Sequence, residues 1–147
     1  MNLAETALDK KTQLMRKAGM KGLDVERFEK INAQLDGVYD EITSLSKKSP
    51  NDGVNKFKLR LLNKILEDAN LLLDDKHKPF EEFTVFDEDT LPSNSDVAFI
   101  LAQYLNCMEN LRAENIKESE FGGEWYWVIN GKKSSDKTAP PKKLNRK

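Results

Sequence analysis

The sequence predicts a mainly α-helical protein: a four-helix bundle-like domain, with room for a small two-stranded β ribbon and with a disordered basic tail at the C-terminal end. Two observations predict this fold class. Apolar residues recur every three or four positions through four segments, which is the spacing of an amphipathic helix. A single run with strand alternation follows, and residues 131–147 are polar and basic with almost no apolar side chain. We therefore expect one helical domain over residues 1–130.

The first two predicted helices span residues 2–18 and 24–46. The first has a narrow apolar face that Lys10 and Lys11 interrupt, and glycines follow it where helices commonly stop. The second begins at Asp24, a residue type that favours the N-cap position. It carries the most regular apolar stripe of the chain, at spacings of 3, 4, 3, 4 and 3 residues: Phe28, Ile31, Leu35, Val38, Ile42 and Leu45.

This apolar stripe has two interpretations. It spans fewer than the three or four heptads that define a coiled coil, and few of its flanking positions are charged. That favours a helix that packs within its own bundle. The alternative is a homodimer in which the same six residues form an intermolecular coiled coil.

The third and fourth predicted helices span residues 50–73 and 94–116. Ser49 and Ser93 each stand where a side-chain oxygen can cap the first free backbone N–H groups of a helix. Pro50 suits the first helical turn because its missing N–H has no partner there in any case. The apolar faces of both helices are broad, which indicates burial against more than one neighbour.

The ribbon and the tail are predicted from the remaining segments. Residues 74–92 form an acidic linker, and residues 82–86 within it can form a short strand. This strand could pair with the alternating aromatic strand at 124–129. Asn130-Gly131 is a turn signal, but nothing after it has strand alternation, so residues 131–147 are expected to be disordered.

Composition bounds the class of protein. A chain of 147 residues is long enough for one core, and its single cysteine, Cys107, cannot form an internal disulfide. The first 20 residues lack the apolar stretch of a signal peptide, and no apolar run approaches the roughly 18 residues of a membrane span. We expect a cytoplasmic protein without a membrane association.

The charges are segregated along the chain. The net charge is −1, but residues 1–22 carry +3 and residues 131–147 carry +6, which leaves −10 for residues 23–130. Because a local field rather than the net charge attracts a partner, a polyanionic partner stays open.

No pattern indicates catalysis, so the expectation is a protein that is not an enzyme and has no cofactor and no metal. Cys107 lies between apolar residues of a predicted helix and reads as a small buried side chain. His77 is the only histidine, and Asp87-Glu88-Asp89 lacks the spacing of a calcium loop. A reaction carried by two carboxylates stays open, although no pair stands out.

Two aromatic groups are candidates for binding a protein partner. The first is the strand of three adjacent aromatics, which either closes the core or presents a binding face. The second is the linker series set among acidic residues, which either folds back over the domain or docks into a partner. The candidate residues are Trp125, Tyr126, Trp127, Phe80, Phe83 and Phe86.

The basic tail is the candidate for nucleic acid, through counterion release at phosphates. The sequence places no aromatic residue among its charges. The first predicted helix would add Lys10, Lys11, Arg16 and Lys17, and with the second it resembles a helix–turn–helix only weakly because the second helix begins with acidic residues. The tail residues are Lys132, Lys133, Lys142, Lys143, Arg146 and Lys147.

Together these features predict a non-enzymatic cytoplasmic interaction protein, such as an adaptor, an inhibitor or an assembly factor, that binds a protein partner through aromatic and acidic surface. The alternative is a regulator associated with nucleic acid through the basic tail and the first helix.

Overall fold

A computed structural model describes residues 22–143, with side chains from Val25 onward. The helix predicted over residues 2–18 lies outside the described residues, as do Arg146 and Lys147. The described part contains three helices followed by three strands: α1 (Gly22–Lys48), α2 (Lys56–Leu72), α3 (Asn94–Glu114), β1 (Ile116–Glu118), β2 (Trp125–Ile129) and β3 (Lys132–Thr138).

The chain divides into two compact units. The helical unit comprises residues 29–108. The sheet unit, in its described part, comprises residues 22–28 and 109–143. Helices α1 and α3 each contribute residues to both units, so the helical unit is one continuous stretch of chain and the sheet unit is made of two.

In the helical unit, α2 has a clear inner face, which buries Leu59, Leu62, Asn63, Leu66 and Ala69. These positions recur at spacings of three and four, as an amphipathic helix requires. From α1 the unit buries Ile31, Leu35 and Ile42, and from α3 it buries Val97, Leu101, Tyr104 and Met108. Three of the six residues of the apolar stripe therefore lie in the core of this unit.

Helix α2 begins six residues later than the sequence predicts. The cap is Asn55, whose side-chain oxygen accepts hydrogen bonds from the backbone N–H groups of Phe57 and Lys58. The preceding residues pair instead with the start of α3: Val54 N–H donates to Pro92 O, and the Asn94 side chain donates to Ser49 O. These long-range bonds satisfy backbone groups that a helix starting at Pro50 would have used.

The sheet unit contains a three-stranded antiparallel sheet in the order β1-β2-β3. Its central strand carries Trp127, which is buried and meets the Phe28 ring edge-on at a centroid distance of 5.2 Å. Strands β2 and β3 are joined at Asn130 and Gly131, which both have positive φ, at 53° and 78°. That backbone is the two-residue hairpin turn that the Asn-Gly sequence favours.

The predicted fold class is therefore wrong in three respects. The described residues form three helices with a three-stranded sheet, and not a four-helix bundle with a two-stranded ribbon. The ribbon partner was misplaced, because the strand at 124–129 pairs with residues on both of its sides and not with residues 82–86. Residues 132–138 of the supposed disordered tail are strand β3.

Residues 132–138 form a strand although their side chains do not alternate between apolar and polar. Strand β3 is polar on both faces, so backbone pairing with β2 holds it rather than apolar burial. Its register contains a bulge: between the pairs at Tyr126 and Val128, β3 advances four residues while β2 advances two. Inside the bulge, the Ser134 hydroxyl donates to Trp127 O at 2.7 Å.

Candidate interaction surfaces

The sheet has one inner face and one outer face, because side chains alternate along a strand. Trp127 lies on the inner face and is only 1% exposed, so the central aromatic of the predicted binding strand is a core residue of the sheet unit. Trp125 shares that face and is half-buried. Tyr126 lies on the opposite, outer face and is the member of the three that presents its side chain there.

Lysines surround Tyr126 on this outer face. Its direct cross-strand partners are Lys117 on β1 and Lys137 on β3, and Lys133 pairs opposite Val128 two residues along. The Lys133 Nζ lies 5.2 Å from the centroid of the Tyr126 ring, a cation–π distance. We call this set the lysine face: Lys117, Tyr126, Val128, Lys133 and Lys137.

One carboxylate stands beside these lysines. The Tyr126 hydroxyl donates to Glu124 Oε2 at 2.6 Å, and Lys137 Nζ donates to Glu124 Oε1 at 3.1 Å. The bond from Tyr126 and the charge of Lys137 lower the pKa of Glu124, and the same bonds raise the pKa values of Tyr126 and Lys137. Glu124 is therefore ionised near neutral pH and neutralises part of the positive charge.

The chain after β3 is fastened to the end of α3. Arg112, which is buried, donates to Thr138 Oγ1, Ala139 O and Pro140 O at 2.7 to 2.9 Å. Glu109 accepts two further hydrogen bonds from the same guanidinium and one from the backbone N–H of Lys142. The backbone of Lys142 is therefore held at the end of α3, and Lys143 follows it directly.

The linker aromatics lie in the helical unit and fold back over its helices. Phe83 is half-buried and meets Phe86 and Tyr104 edge-on, at centroid distances of 4.9 and 6.3 Å. The Asn63 side chain pairs with the backbone of Phe86 in both directions, at 2.8 and 3.0 Å. Asn70 donates to Thr84 O at 2.8 Å. These amide bonds satisfy the linker backbone, so it does not need the strand pairing predicted for it.

A buried tyrosine completes this network. The Tyr104 hydroxyl donates to Asn70 Oδ1 at 2.6 Å, and burial raises the pKa of Tyr104 to about 12. Tyr104 therefore stays protonated and keeps its donor over the physiological pH range. Phe83 thus contacts the ring of Tyr104, and Phe86 is held by the Asn63 amide.

Phe80, which is half-buried, lies beside an exposed aromatic ring of α3. Its ring lies 6.5 Å from that of Phe99 on α3, with the ring planes 28° apart, and Phe99 is 59% exposed. Glu81 and Glu82 follow Phe80, and Asp96 precedes Phe99 by one helical turn. All three acids are exposed, and within residues 22–143 none forms an ion pair. We call this set the acidic aromatic surface: Phe80, Phe99, Glu81, Glu82 and Asp96.

The residues proposed for a homodimer are largely occupied within the chain. Phe28, Ile31, Leu35 and Ile42 are at most 2% exposed, whereas Val38 is half-buried and Leu45 is exposed. The regular stripe thus serves intramolecular packing over most of its length.

The candidate reactive groups have ordinary structural roles. Burial raises the pKa of the Cys107 thiol, which lowers the fraction of the nucleophilic thiolate. His77 Nδ1 lies 2.8 Å from Asp74 Oδ1, and Asp74 also accepts from the backbone N–H groups of Lys76 and His77. Burial acts to raise the pKa of Asp74, but the His77 bonds outweigh it and lower the pKa overall. Within the described part of the chain, no cluster of three His, Cys, Asp or Glu residues could hold a metal ion.

Sequence reasoning missed Phe99, Lys117, Arg112 and Glu109. The pair Glu109 and Arg112 has the three-residue spacing of a helical ion pair, which is a signal that the sequence does contain. Lys117 and Phe99 carried no signal, because their importance arises from neighbours far away in the sequence.

None of the helices within residues 22–143 has the length and apolar character needed to cross a membrane. No protein family, curated protein or solved structure matches the chain.

Proposed function

We propose that this chain is a non-enzymatic cytoplasmic interaction protein, in the manner of an adaptor, an inhibitor or an assembly factor. Its helical unit binds a protein partner through the acidic aromatic surface. The observation that carries the proposal is the exposed ring of Phe99 beside the half-buried ring of Phe80, flanked by three acids without ion-pair partners among the described residues. The single cysteine in 147 residues supports a reducing compartment.

The acidic aromatic surface combines aromatic side chains with a backbone that is ordered before binding. Aromatic side chains are enriched among the residues that dominate binding energies, because they bury a large area at a small entropic cost. Here Phe99 lies on helix α3, and Phe80 lies on a linker whose backbone Asn63 and Asn70 bind a few residues further on, so little ordering is required on binding.

Charge indicates the chemistry of the partner. Residues 29–108 contain nine lysines and arginines against fifteen aspartates and glutamates, a net charge of −6. Complementary charge steers association and selects against like-charged partners. The partner we propose is therefore a basic protein segment that inserts an apolar side chain beside Phe99.

The test is affinity capture from a lysate of the source cells, with the full chain as bait. Phe99→Ala should lose a protein that the wild type retains, because it removes the exposed ring. Phe57→Ala is the matched control: Phe57 is 69% exposed on α2 and belongs to no aromatic pair among the described residues. The retained protein should elute as salt is raised. Capture that both variants lose equally, or that neither affects, contradicts the proposal.

A further inference from the structure

We propose that the lysine face of the sheet unit binds single-stranded nucleic acid, with Tyr126 as a stacking platform for one base. This is a second binding function, at a different site from the acidic aromatic surface. The sequence placed the basic residues in a tail without aromatic neighbours. Pairing of β3 with β2 instead puts Lys133 and Lys137 beside the half-buried ring of Tyr126 on the outer face of the sheet.

The geometry arranges charge on both sides of the ring. Lys117 and Lys137 are the cross-strand partners of Tyr126 on opposite neighbouring strands. With adjacent strands about 4.8 Å apart, their backbones flank the tyrosine across roughly 10 Å. Lysine side chains are long and flexible, so their ammonium groups can contact phosphates on either side of a base that stacks at the centre.

In this proposal the Tyr126 ring contacts a base, and the lysines contact the phosphates. Base stacking on an aromatic side chain is tolerant of sequence because every base has a π-face, and lysines hold the backbone phosphates as point charges. A duplex keeps its bases stacked on one another, so it can use the charges but not the ring. The face therefore prefers single strands to duplex.

Glu124 opposes this binding. Its carboxylate holds both the Tyr126 hydroxyl and Lys137, and its negative charge repels a phosphate that approaches Lys137. Removal of that charge should strengthen binding, whereas removal of a lysine should weaken it.

Strand β3 supplies a matched control. Lys132 and Lys133 are consecutive and both exposed, but Lys132 pairs opposite Ile129 on the Trp127 side, whereas Lys133 pairs opposite Val128 on the Tyr126 side. The two alanine variants have the same composition and charge. Only the position of the lost charge relative to Tyr126 differs.

The experiment is fluorescence anisotropy of the full chain with labelled oligothymidylate and oligouridylate of about 12 nucleotides, over a salt series that starts at low ionic strength. Loss of the ring in Tyr126→Ala should weaken binding about five-fold or more, since stacking contributes about 1–3 kcal/mol per base. Tyr126→Phe should keep the stacking and bind no worse than the wild type. The two oligonucleotides distinguish a DNA ligand from an RNA ligand.

Lys133→Ala should reduce the salt slope of log K by about 0.7, the contribution of one phosphate contact with a single strand, and Lys132→Ala should leave it unchanged. Glu124→Gln should bind more tightly. Circular dichroism of each variant checks that the sheet unit is folded.

Four results would overturn the proposal. They are no binding by a folded wild type at low salt, equal losses for Lys132→Ala and Lys133→Ala, and a folded Tyr126→Ala that binds like the wild type. The fourth is competition by duplex DNA or by inorganic polyphosphate as strong as that of the single strand. The capture experiment with Phe99→Ala tests the acidic aromatic surface of the helical unit. Its outcome does not change the interpretation of this nucleic-acid binding test.

Discussion

Arg112 and Glu109 form a buried bidentate ion pair, in which Nε and Nη2 of the guanidinium donate to the two carboxylate oxygens at 2.8 Å each. The two residues lie one turn apart on α3, and their side chains are 7% and 11% exposed. The same guanidinium binds the backbone of Ala139 and Pro140, so one side chain joins a helix to the chain that follows the sheet. This junction explains why a polar segment after β3 has a defined path.

Arg112→Ala should destabilise the protein by about 3–5 kcal/mol, because it leaves the Glu109 carboxylate buried without its partner. Urea unfolding of the full chain measures the loss. Lys142→Ala is the control, since Lys142 contributes its backbone N–H to Glu109 and the variant keeps that group. We expect the control to stay within about 0.5 kcal/mol of the wild type. Equal stability of Arg112→Ala and the wild type would contradict the role of the pair.

The Glu109 carboxylate should make stability depend on pH in the acidic range. Burial acts to raise its pKa, but the hydrogen bonds from Arg112 and Lys142 outweigh burial and hold the pKa below the ordinary value of 4.5. The stabilisation is therefore complete above pH 4.5 and is lost as the pH falls through the lowered pKa. Glu109→Gln should be less stable than the wild type at neutral pH, and the difference should shrink on acidification. A difference that does not change with pH would contradict this assignment.

Asn63→Ala should release the linker that carries Phe80, Glu81 and Glu82 of the acidic aromatic surface. The Asn63 side chain satisfies both backbone groups of Phe86, and its loss leaves them partly buried without partners, at a cost of about 1–3 kcal/mol. Limited proteolysis should cut near residues 80–86 faster than in the wild type. Asn51→Ala, at an exposed position in the turn before α2, serves as the control and should leave the cleavage rate unchanged.

Gly131→Ala should weaken the β2–β3 hairpin, because φ at Gly131 is +78° and an L-residue there is strained by about 1–2 kcal/mol. Gly37→Ala provides a comparison of opposite sign. Gly37 lies within α1, and apart from its own stretch of helix no described atom would lie within 4 Å of a Cβ at this position. That variant should gain roughly 0.5–1 kcal/mol from helix propensity. Thermal unfolding of both variants measures the contrast, and a destabilised Gly37→Ala or a stabilised Gly131→Ala would contradict it.

The helices and the central strand were predictable because their signals are local. The stripe from Phe28 to Ile42 needed only the helical period, and the alternation around Trp127 needed only the strand period. The Asn130-Gly131 turn was also recognised from its residue types. The strand that follows this turn was not predicted, because Lys132–Thr138 has no apolar face of its own.

The sequence by itself determined where helical faces form, where the aromatic strand lies and that charges segregate along the chain. Only the tertiary structure decided that Trp127 is buried while Tyr126 faces outward among lysines, and that Phe99 stands beside Phe80. The physical reason is that these relationships depend on pairing between distant segments. Strand register is one such relationship. The bonds of Asn63 to Phe86 span 23 residues, and the bond of Arg112 to Pro140 spans 28. None of these relationships produces a periodic pattern in the residues that it joins.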